Sequence, residues 1–406
     1  MLQAIFDGKS GLTDPGLLSL VGSLLNENVT EGFGKNFLQV DFATPDAAML
    51  TRLTRDTWHF SAAKNYQQLR DMTLALKDDA GKLRTFADFR EAASGISDSY
   101  NKTWLKAEYD HAVGSSTMAS QWVEFQRNAK LMPFLRYSTV GDAQVRVSHR
   151  ALDGITRKID DAFWTTHYPP NGWRCRCDAN QLPGSAKETE LKDIPSVPIQ
   201  PMFRTNLAAS GMVYPKGHPY YDGVPDNVLK KALAYLPTNA AYNTYKVKNG
   251  PVDVHLLHNN INEKGLLELS RHLEMTNDLY AIGFEKAKLL PSIHKADKEI
   301  KSKFYPKGYK PVDELKNPDT WIKNSKGNDM VCDYKYITGN GKTLGNHISK
   351  GATQAEYVIV KLANKKHDVK TWSAEGLIEA KLKENANLKG VIILNHDGSL
   401  FTEKYR

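Results

Sequence analysis

Asn317-Pro318-Asp319-Thr320-Trp321-Ile322, then Lys326-Gly327-Asn328, then Val331-Cys332-Asp333-Tyr334-Lys335-Tyr336-Ile337, reads as two short β-strands joined by a polar turn. Adjacent strands at Thr320–Ile322 and Val331–Ile337 let Asp319 and Asp333 converge. Lys335 falls on the same face as Asp333 because strand side chains alternate. Such a trio has a chemical use. Two carboxylates hold Mg²⁺ or Mn²⁺ with several waters retained. The ion polarises a phosphate oxygen and lowers the pKa of a bound water. A neighbouring lysine orients or deprotonates that water and offsets developing charge. These are the requirements of phosphodiester hydrolysis, with Asp319 and Asp333 as metal ligands and Lys335 as the amine.

Outward from this hairpin the chain alternates. Residues 262–281 read as a helix that Gly283 ends, 345–354 as a second, and Ser373 to about Glu384 as a third. Tyr357–Leu362 and Val391–Leu394 read as strands, the latter followed by a His396-Asp397-Gly398 turn. Mixed elements in this order predict an α/β domain over 251–406. Gly339-Asn340-Gly341-Lys342-Thr343 imitates the end of a phosphate-binding loop, but Tyr336 stands where that pattern needs glycine. A hairpin turn is the better reading.

Toward the N-terminus the pattern turns helical, with three- and four-residue apolar spacing over 45–78, 85–96 and 99–130. In the last, Trp104, Leu105, Tyr109, Ala112, Val113, Trp122 and Phe125 line one broad face, read as core. Seven of the 18 prolines fall within 179–225, which predicts an extended, irregular stretch. The fold class is therefore α+β multidomain: a mainly helical domain over 1–178, a Pro-rich tail and linker over 179–250, and the α/β domain over 251–406.

Composition sets the outer bounds. A chain of 406 residues with 41% hydrophobic and 25% charged residues holds two or three globular domains and is not broadly disordered. No run of 18 apolar residues exists, which excludes a spanning helix and predicts no membrane partner. The first apolar run, Leu17 to Leu25, is broken by Ser19, Gly22 and Ser23 and lacks a basic start, so no secretory signal is expected. Three cysteines fit a reduced compartment. The net charge of +8 is uneven: 291–406 carries 21 Lys and Arg against 14 Asp and Glu. That bias implies an anionic partner, nucleic acid first, against a merely solvated lysine surface. Lys301, Lys303, Lys307, Lys310, Lys350, Lys361, Lys365 and Lys366 are the candidate phosphate contacts. Trp372 and Tyr357 read as core, with base stacking the alternative.

A second constellation precedes the prolines: Tyr137–Asp142, Arg146-Val147-Ser148-His149-Arg150, Asp160–Trp164, and Tyr168-Pro169-Pro170-Asn171-Gly172-Trp173-Arg174-Cys175-Arg176-Cys177. Cys175, Cys177 and His149 or His167 offer thiolate and imidazole ligands to zinc. The spacing is not a standard zinc pattern and no fourth ligand stands out, which favours buried structural cysteines. Nothing in the sequence signals a lowered thiol pKa, which sets aside a Cys–His nucleophile. The segment resembles the phage Mu gpF-like minor head protein family, the phage head morphogenesis domain. Phe60–Asn65, Trp104–Tyr109 and His218-Pro219-Tyr220 fit the same family, so the resemblance covers about 1–222. It implies a minor head component acting in prohead assembly or genome packaging, with phage head and portal proteins as partners and no catalytic residues.

The hairpin trio resembles the PD-(D/E)xK nuclease superfamily, and more narrowly the C-terminal tRNase domains of CdiA-type contact-dependent inhibition toxins. Gly283-Phe284-Glu285, Leu289-Leu290-Pro291, Lys350-Gly351 and Gln354-Ala355 fit that context over about 255–406. Asp333 departs from the commoner glutamate and needs closer strands. The resemblance implies a restriction-endonuclease-like fold, Mg²⁺, a tRNA or other nucleic acid substrate, and a small acidic immunity partner. It also implies an upstream helical carboxylate, with Glu268 and Glu274 as candidates and Glu274 taken into the catalytic set, and Gln354 facing the site. The expected setting is a virion or prohead and the bacterial cytoplasm. The competing expectation is a purely structural head or packaging protein whose C-terminal domain binds nucleic acid without catalysis.

Overall fold

A computed structural model describes residues 1–294, 297–338, 343–363 and 371–406. Over its first part the chain is helical, as the apolar spacing predicts: α1 (Leu2–Phe6), α2 (Pro15–Phe33), α3 (Pro45–Leu74), α4 (Phe86–Asp98) and α5 (Leu105–Asn128). Asp14 caps α2 by accepting the Leu17 N–H at 2.8 Å, with Pro15 at the first helical position, where no N–H is missed. Gly32 lets α2 touch α5, since a Cβ there would stand 2.2 Å from the Val113 carbonyl oxygen. One expectation is corrected on α5. Ala112 and Phe125 are buried, but Trp104 is 44% exposed and Tyr109 36%. Trp104 ends a π-helical turn, Ser99–Trp104, that joins α4 to α5, and Tyr109 falls on the outer side of α5.

Three short strands follow, β1 (Phe134–Ser138), β2 (Thr156–Lys158) and β3 (Asp178–Leu182), antiparallel in the order β2-β1-β3. Helix α6 (Val147–Arg150) lies between β1 and β2 in the chain, and α7 (Phe163–His167) precedes a cis Pro169–Pro170 bond. The proline-rich segment carries only short turns, α8 (Leu207–Ser210), and then α9 (Asp226–Ala234). It is nevertheless pinned down. Asp56 of α3 accepts the backbone N–H groups of Val213 and Tyr214 at 2.8 and 2.9 Å, and Phe60 stacks on Tyr214 at 3.6 Å.

Under these aromatics lies a buried ion pair. Lys64 Nζ donates to Glu108 Oε2 at 2.5 Å and to the Tyr100 carbonyl at 2.7 Å. Tyr220 donates to Glu108 Oε1 at 2.9 Å. Burial pushes the Lys64 pKa down and the Glu108 pKa up, with each partner's charge opposing the shift.

The chain divides into two compact units, 1–36 with 45–237 and 37–44 with 238–406. The second unit starts with α10 (Thr238–Ala241), β4 (Tyr242–Val247) and β5 (Gly250–His255), in a segment the sequence reading treated mostly as linker. Then come α11 (Glu263–Ala281), β6 (Glu285–Leu289), α12 (Lys298–Lys301), β7 (Thr320–Lys323), β8 (Asp329–Ile337), α13 (Leu344–Ala352), β9 (Tyr357–Leu362), α14 (Thr371–Glu384), β10 (Gly390–Leu394) and β11 (Leu400–Tyr405). The strands form one mixed sheet in the order β11-β10-β9-β8-β7-β6-β5-β4. The pairs β5/β6, β8/β9 and β9/β10 are parallel and the others antiparallel. Residues 37–44 join this unit: the Phe37 ring lies 4.3 Å from Tyr245, and Lys246 N–H donates to the Phe37 carbonyl.

Helices α13 and α14 cover one face of the sheet, where Ile337, Val358, Val360, Val391 and Ile393 pack with Leu344, Ile348 and Ile378. Helix α11 meets the other face, where Thr276 bonds Tyr334 at 2.9 Å. Strand β10 is buried along its whole length, as a continuous apolar run demands when both faces are covered. The architecture is an α+β multidomain fold. No described helix is long and apolar enough to cross a membrane.

Candidate functional site

The β7–β8 hairpin forms in the register that the sequence suggests, with Thr320 opposite Cys332 and Lys323 opposite Asp329. Beyond Cys332, β8 leaves β7 and continues paired with β9. Strand divergence would strand the Tyr334 N–H on the β7 side. Asp319, just before β7, fills the gap: its Oδ2 accepts that N–H at 2.7 Å, while its own N–H donates to the Cys332 carbonyl at 3.0 Å. A backbone requirement therefore sets the Asp319 carboxylate beside Asp333.

Asp333 is 1% exposed and faces α13. Its Oδ1 accepts from Gln354 Nε2 at 2.8 Å, and its Oδ2 forms an ion pair with Lys335 Nζ. Burial, and then the Asp319 charge, hold the Asp333 carboxyl well above the usual carboxylate range, against the pull of Lys335. Burial likewise raises Asp319, with Lys335 opposing. Two close carboxylates with raised pKa values, facing one lysine between them, make an oxygen donor set that a hard dication fits. Asp319, Asp333, Lys335 and Gln354 thus come together.

Glu274 does not join them. It lies on the α11 side of the sheet, 2.9 Å from Lys361 Nζ, and Lys361 also pairs with Asp278. This corrects two expectations. Glu274 neutralises a buried lysine, and Lys361, 2% exposed between two carboxylates, is closed to phosphate. Burial works against the Lys361 charge, but the Asp278 and Glu274 hydrogen bonds outweigh it and raise its pKa. Glu268, about one and two-thirds helical turns earlier on α11, lies within electrostatic reach of Asp319 and Lys335. Its pKa is raised by burial and next by the Asp319 charge, with Lys335 among the opposing cations. It is the α11 carboxylate that feels the Asp319 charge.

The sequence reading missed a histidine pair behind the site. His258 Nε2 and His272 Nδ1 are 2.8 Å apart, His258 Nδ1 lies 2.6 Å from the Leu290 carbonyl, and His258 acts electrostatically on Asp319. No spacing signal marks them, since one lies after β5 and the other on α11. Lys301 is also corrected: it is buried and donates to the Glu314 and Lys316 carbonyls. Lys303, Lys307, Lys310 and Lys350 are exposed. Lys365, Lys366, the Gly339–Lys342 turn and the Trp372 side chain lie outside the described residues.

Gly351 on α13 backs the site. A Cβ there would sit 2.6 and 2.8 Å from the Val358 methyls and 3.1 Å from Asp333 Oδ2. Gly351→Ala is therefore expected to destabilise the second unit by about 1–3 kcal/mol, the usual cost of overpacking, and to displace Asp333. Thermal unfolding checks it, and an unchanged midpoint counts against this packing.

In the first unit His149, Cys175 and Cys177 also converge. Their ligand atoms all lie within 4.8 Å of one another. Cys175 Sγ and Cys177 Sγ stand 3.6 and 3.4 Å from His149 Nδ1. The turn before them has Arg174 at φ 54°, and Arg176 points away to a two-bond pair with Asp142 at 2.6 and 2.9 Å. The two thiols titrate as a pair: their mutual hydrogen bond, ahead of that of His149, pulls Cys175 down and pushes Cys177 up. His167 is elsewhere, stacked on Phe163.

Residues 61–180 match the family described as Phage Mu protein F like protein. The matched range, similar to Mu F-like proteins, includes Lys64, Glu108 and the His149–Cys175–Cys177 group. Among individual proteins, "Putative capsid assembly protein F" of Escherichia phage Mu is 40% identical over 73 residues, 18% of this chain and 16% of that protein. The Mu-like prophage FluMu F protein of Haemophilus influenzae is 41% identical over 64 residues, 16% of each chain. The aligned segments therefore span 16% of the length of these relatives. No solved structure matches the chain.

Proposed function

We propose that the chain is a phage or prophage minor head protein whose second unit is a metal-dependent endonuclease. The head role is supported by the Mu F-like match over 61–180 and by the capsid-assembly name of the phage Mu relative. Its partners are then phage head and portal proteins, and its setting is the prohead or virion and afterwards the bacterial cytoplasm.

One observation supports the nuclease reading: Asp319, Asp333 and Lys335 meet at the end of the β7–β8 hairpin, with both carboxyls raised in pKa. In this reading the sheet is restriction-endonuclease-like, and Asp319 and Asp333 are the residues that hold Mg²⁺ or Mn²⁺. When bound, the ion supplies Lewis acidity to a phosphate oxygen and an acidified water. Lys335 then orients that water and balances negative charge on the phosphorus centre. Gln354 fixes Asp333 Oδ1 so that Oδ2 stays turned toward Asp319 and Lys335. Glu268 replaces Glu274 as the third carboxylate. Lys303, Lys307, Lys310 and Lys350 serve the backbone phosphates of the substrate, tRNA ahead of other RNA and DNA. An acidic immunity protein suits the same basic surface.

The deciding experiment incubates full-length protein with labelled tRNA and Mg²⁺, with and without EDTA. Cleavage products that vanish with EDTA are the expected result. Salt-sensitive binding with no products from RNA or DNA would leave the second unit a nucleic-acid-binding module instead.

A further inference from the structure

We propose that His149 Nδ1, Cys175 Sγ and Cys177 Sγ bind one zinc ion, which cross-links the β1–β2 connection to the loop entering β3. The distances carry the argument. A tetrahedral zinc site has Zn–S near 2.3 Å and Zn–N near 2.0–2.1 Å, which sets sulfur and nitrogen about 3.5 Å apart. The two sulfur–nitrogen separations are 3.6 and 3.4 Å. These separations suit sulfur–nitrogen hydrogen bonds and equally suit donors sharing one ion, and all three ligand atoms lie within 4.8 Å of one another. Two thiolates and an imidazole are a soft set that selects zinc over magnesium or calcium.

Two neighbours favour a thiolate at Cys177, although the Cys175 hydrogen bond and burial hold that thiol above its ordinary range without an ion. The Tyr137 hydroxyl, 3.2 Å from Asn171 Oδ1, neighbours Cys177, and the Arg146 charge acts on the same sulfur. Hydrogen bonds and cations around ligating sulfurs offset their charge and fix their orientation. His149 and Cys177 are buried, whereas Cys175 opens onto a cleft of about 420 Å³ that Asp110, Arg146 and Arg174 help to line. Three protein ligands leave one tetrahedral position, which water from this cleft completes. On binding, the proton held by the Cys175–Cys177 pair passes to solvent as both sulfurs take the ion.

The sequence offers these three residues as zinc ligands but cannot show that they converge, because the donors come from two loops separated by β2 and α7. In C-x-C the two thiols sit too close in the chain to match the usual paired spacings. The zinc would act as a cross-link, bringing a three-stranded sheet and two irregular loops into one rigid piece.

The test uses full-length protein from zinc-supplemented cells. Metal analysis is expected to find about one zinc per chain, and about fivefold less or lower in Cys175→Ser/Cys177→Ser. Cobalt loaded in place of zinc is expected to give thiolate-to-metal absorption in the unsubstituted chain and to lose it in His149→Ala. Both wild-type readings stand even if a variant fails to fold. Zinc below about a tenth of an equivalent, with thiol reactivity indifferent to added zinc, overturns the proposal. So does a chain lighter by two hydrogens, the mark of a Cys175–Cys177 disulfide.

Discussion

Asp333→Asn is expected to abolish cleavage while leaving the second unit at least as stable as before. The substitution keeps the shape and the Gln354 contact but removes one of two carboxylates that repel each other in a buried place. Activity should fall by about 10²–10⁴-fold, the range for losing a positioned acid–base or charge-stabilising group. Lys335→Ala should match it. Metal-free protein supplies an independent sign. A carboxyl raised in the fold contributes stability that is present below its ordinary pKa and lost as pH climbs through the raised one. Wild-type protein without metal should therefore lose stability over that climb, and Asp333→Asn should lose less. Glu274→Gln should spare cleavage relative to Glu268→Gln. Full cleavage by both Asp333→Asn and Lys335→Ala would end the nuclease assignment.

The second large effect belongs to the first unit. Lys64→Met leaves Glu108 buried with the Tyr220 hydroxyl but without its cation. Breaking a buried ion pair from one side costs about 3–5 kcal/mol. The unfolding midpoint of this unit should drop by about 10 °C. Replacing both partners, Lys64→Met with Glu108→Leu, should recover much of the loss, because no isolated charge remains. A single variant that melts within a degree of wild type would show that the pair is not what holds α3 to α5.

These two sites differ in how far the sequence disclosed them. Strand alternation places Asp333 and Lys335 on one face, and proline plus a polar turn mark where Asp319 begins, so the trio was legible. Glu268 and Glu274 are six residues apart on α11, and only the sheet decides which meets Asp319 and which meets Lys361. Lysine type says nothing of burial, so Lys361 and Lys301 read as surface cations although ion pairs and carbonyls enclose them. Strands β4, β5 and β6 went unread because their alternation is short and interrupted, as at Pro251 and at the Lys286 irregularity. The resemblance to the head family had marked Phe60–Asn65, Trp104–Tyr109 and His218–Tyr220 separately. Their common cause is now visible: together they build the aromatic shell around Lys64 and Glu108.

Residues 37–44 give the molecule an unusual wiring. The polypeptide crosses between its units three times, near 36, 44 and 237, so severing the backbone after Pro237 alone would not liberate the second one. A fragment made by that cut would also shed Phe37 from its place on Tyr245 and expose the flank of β4. A C-terminal piece freed by that one cut therefore travels without the strip 37–44 that completes its unit.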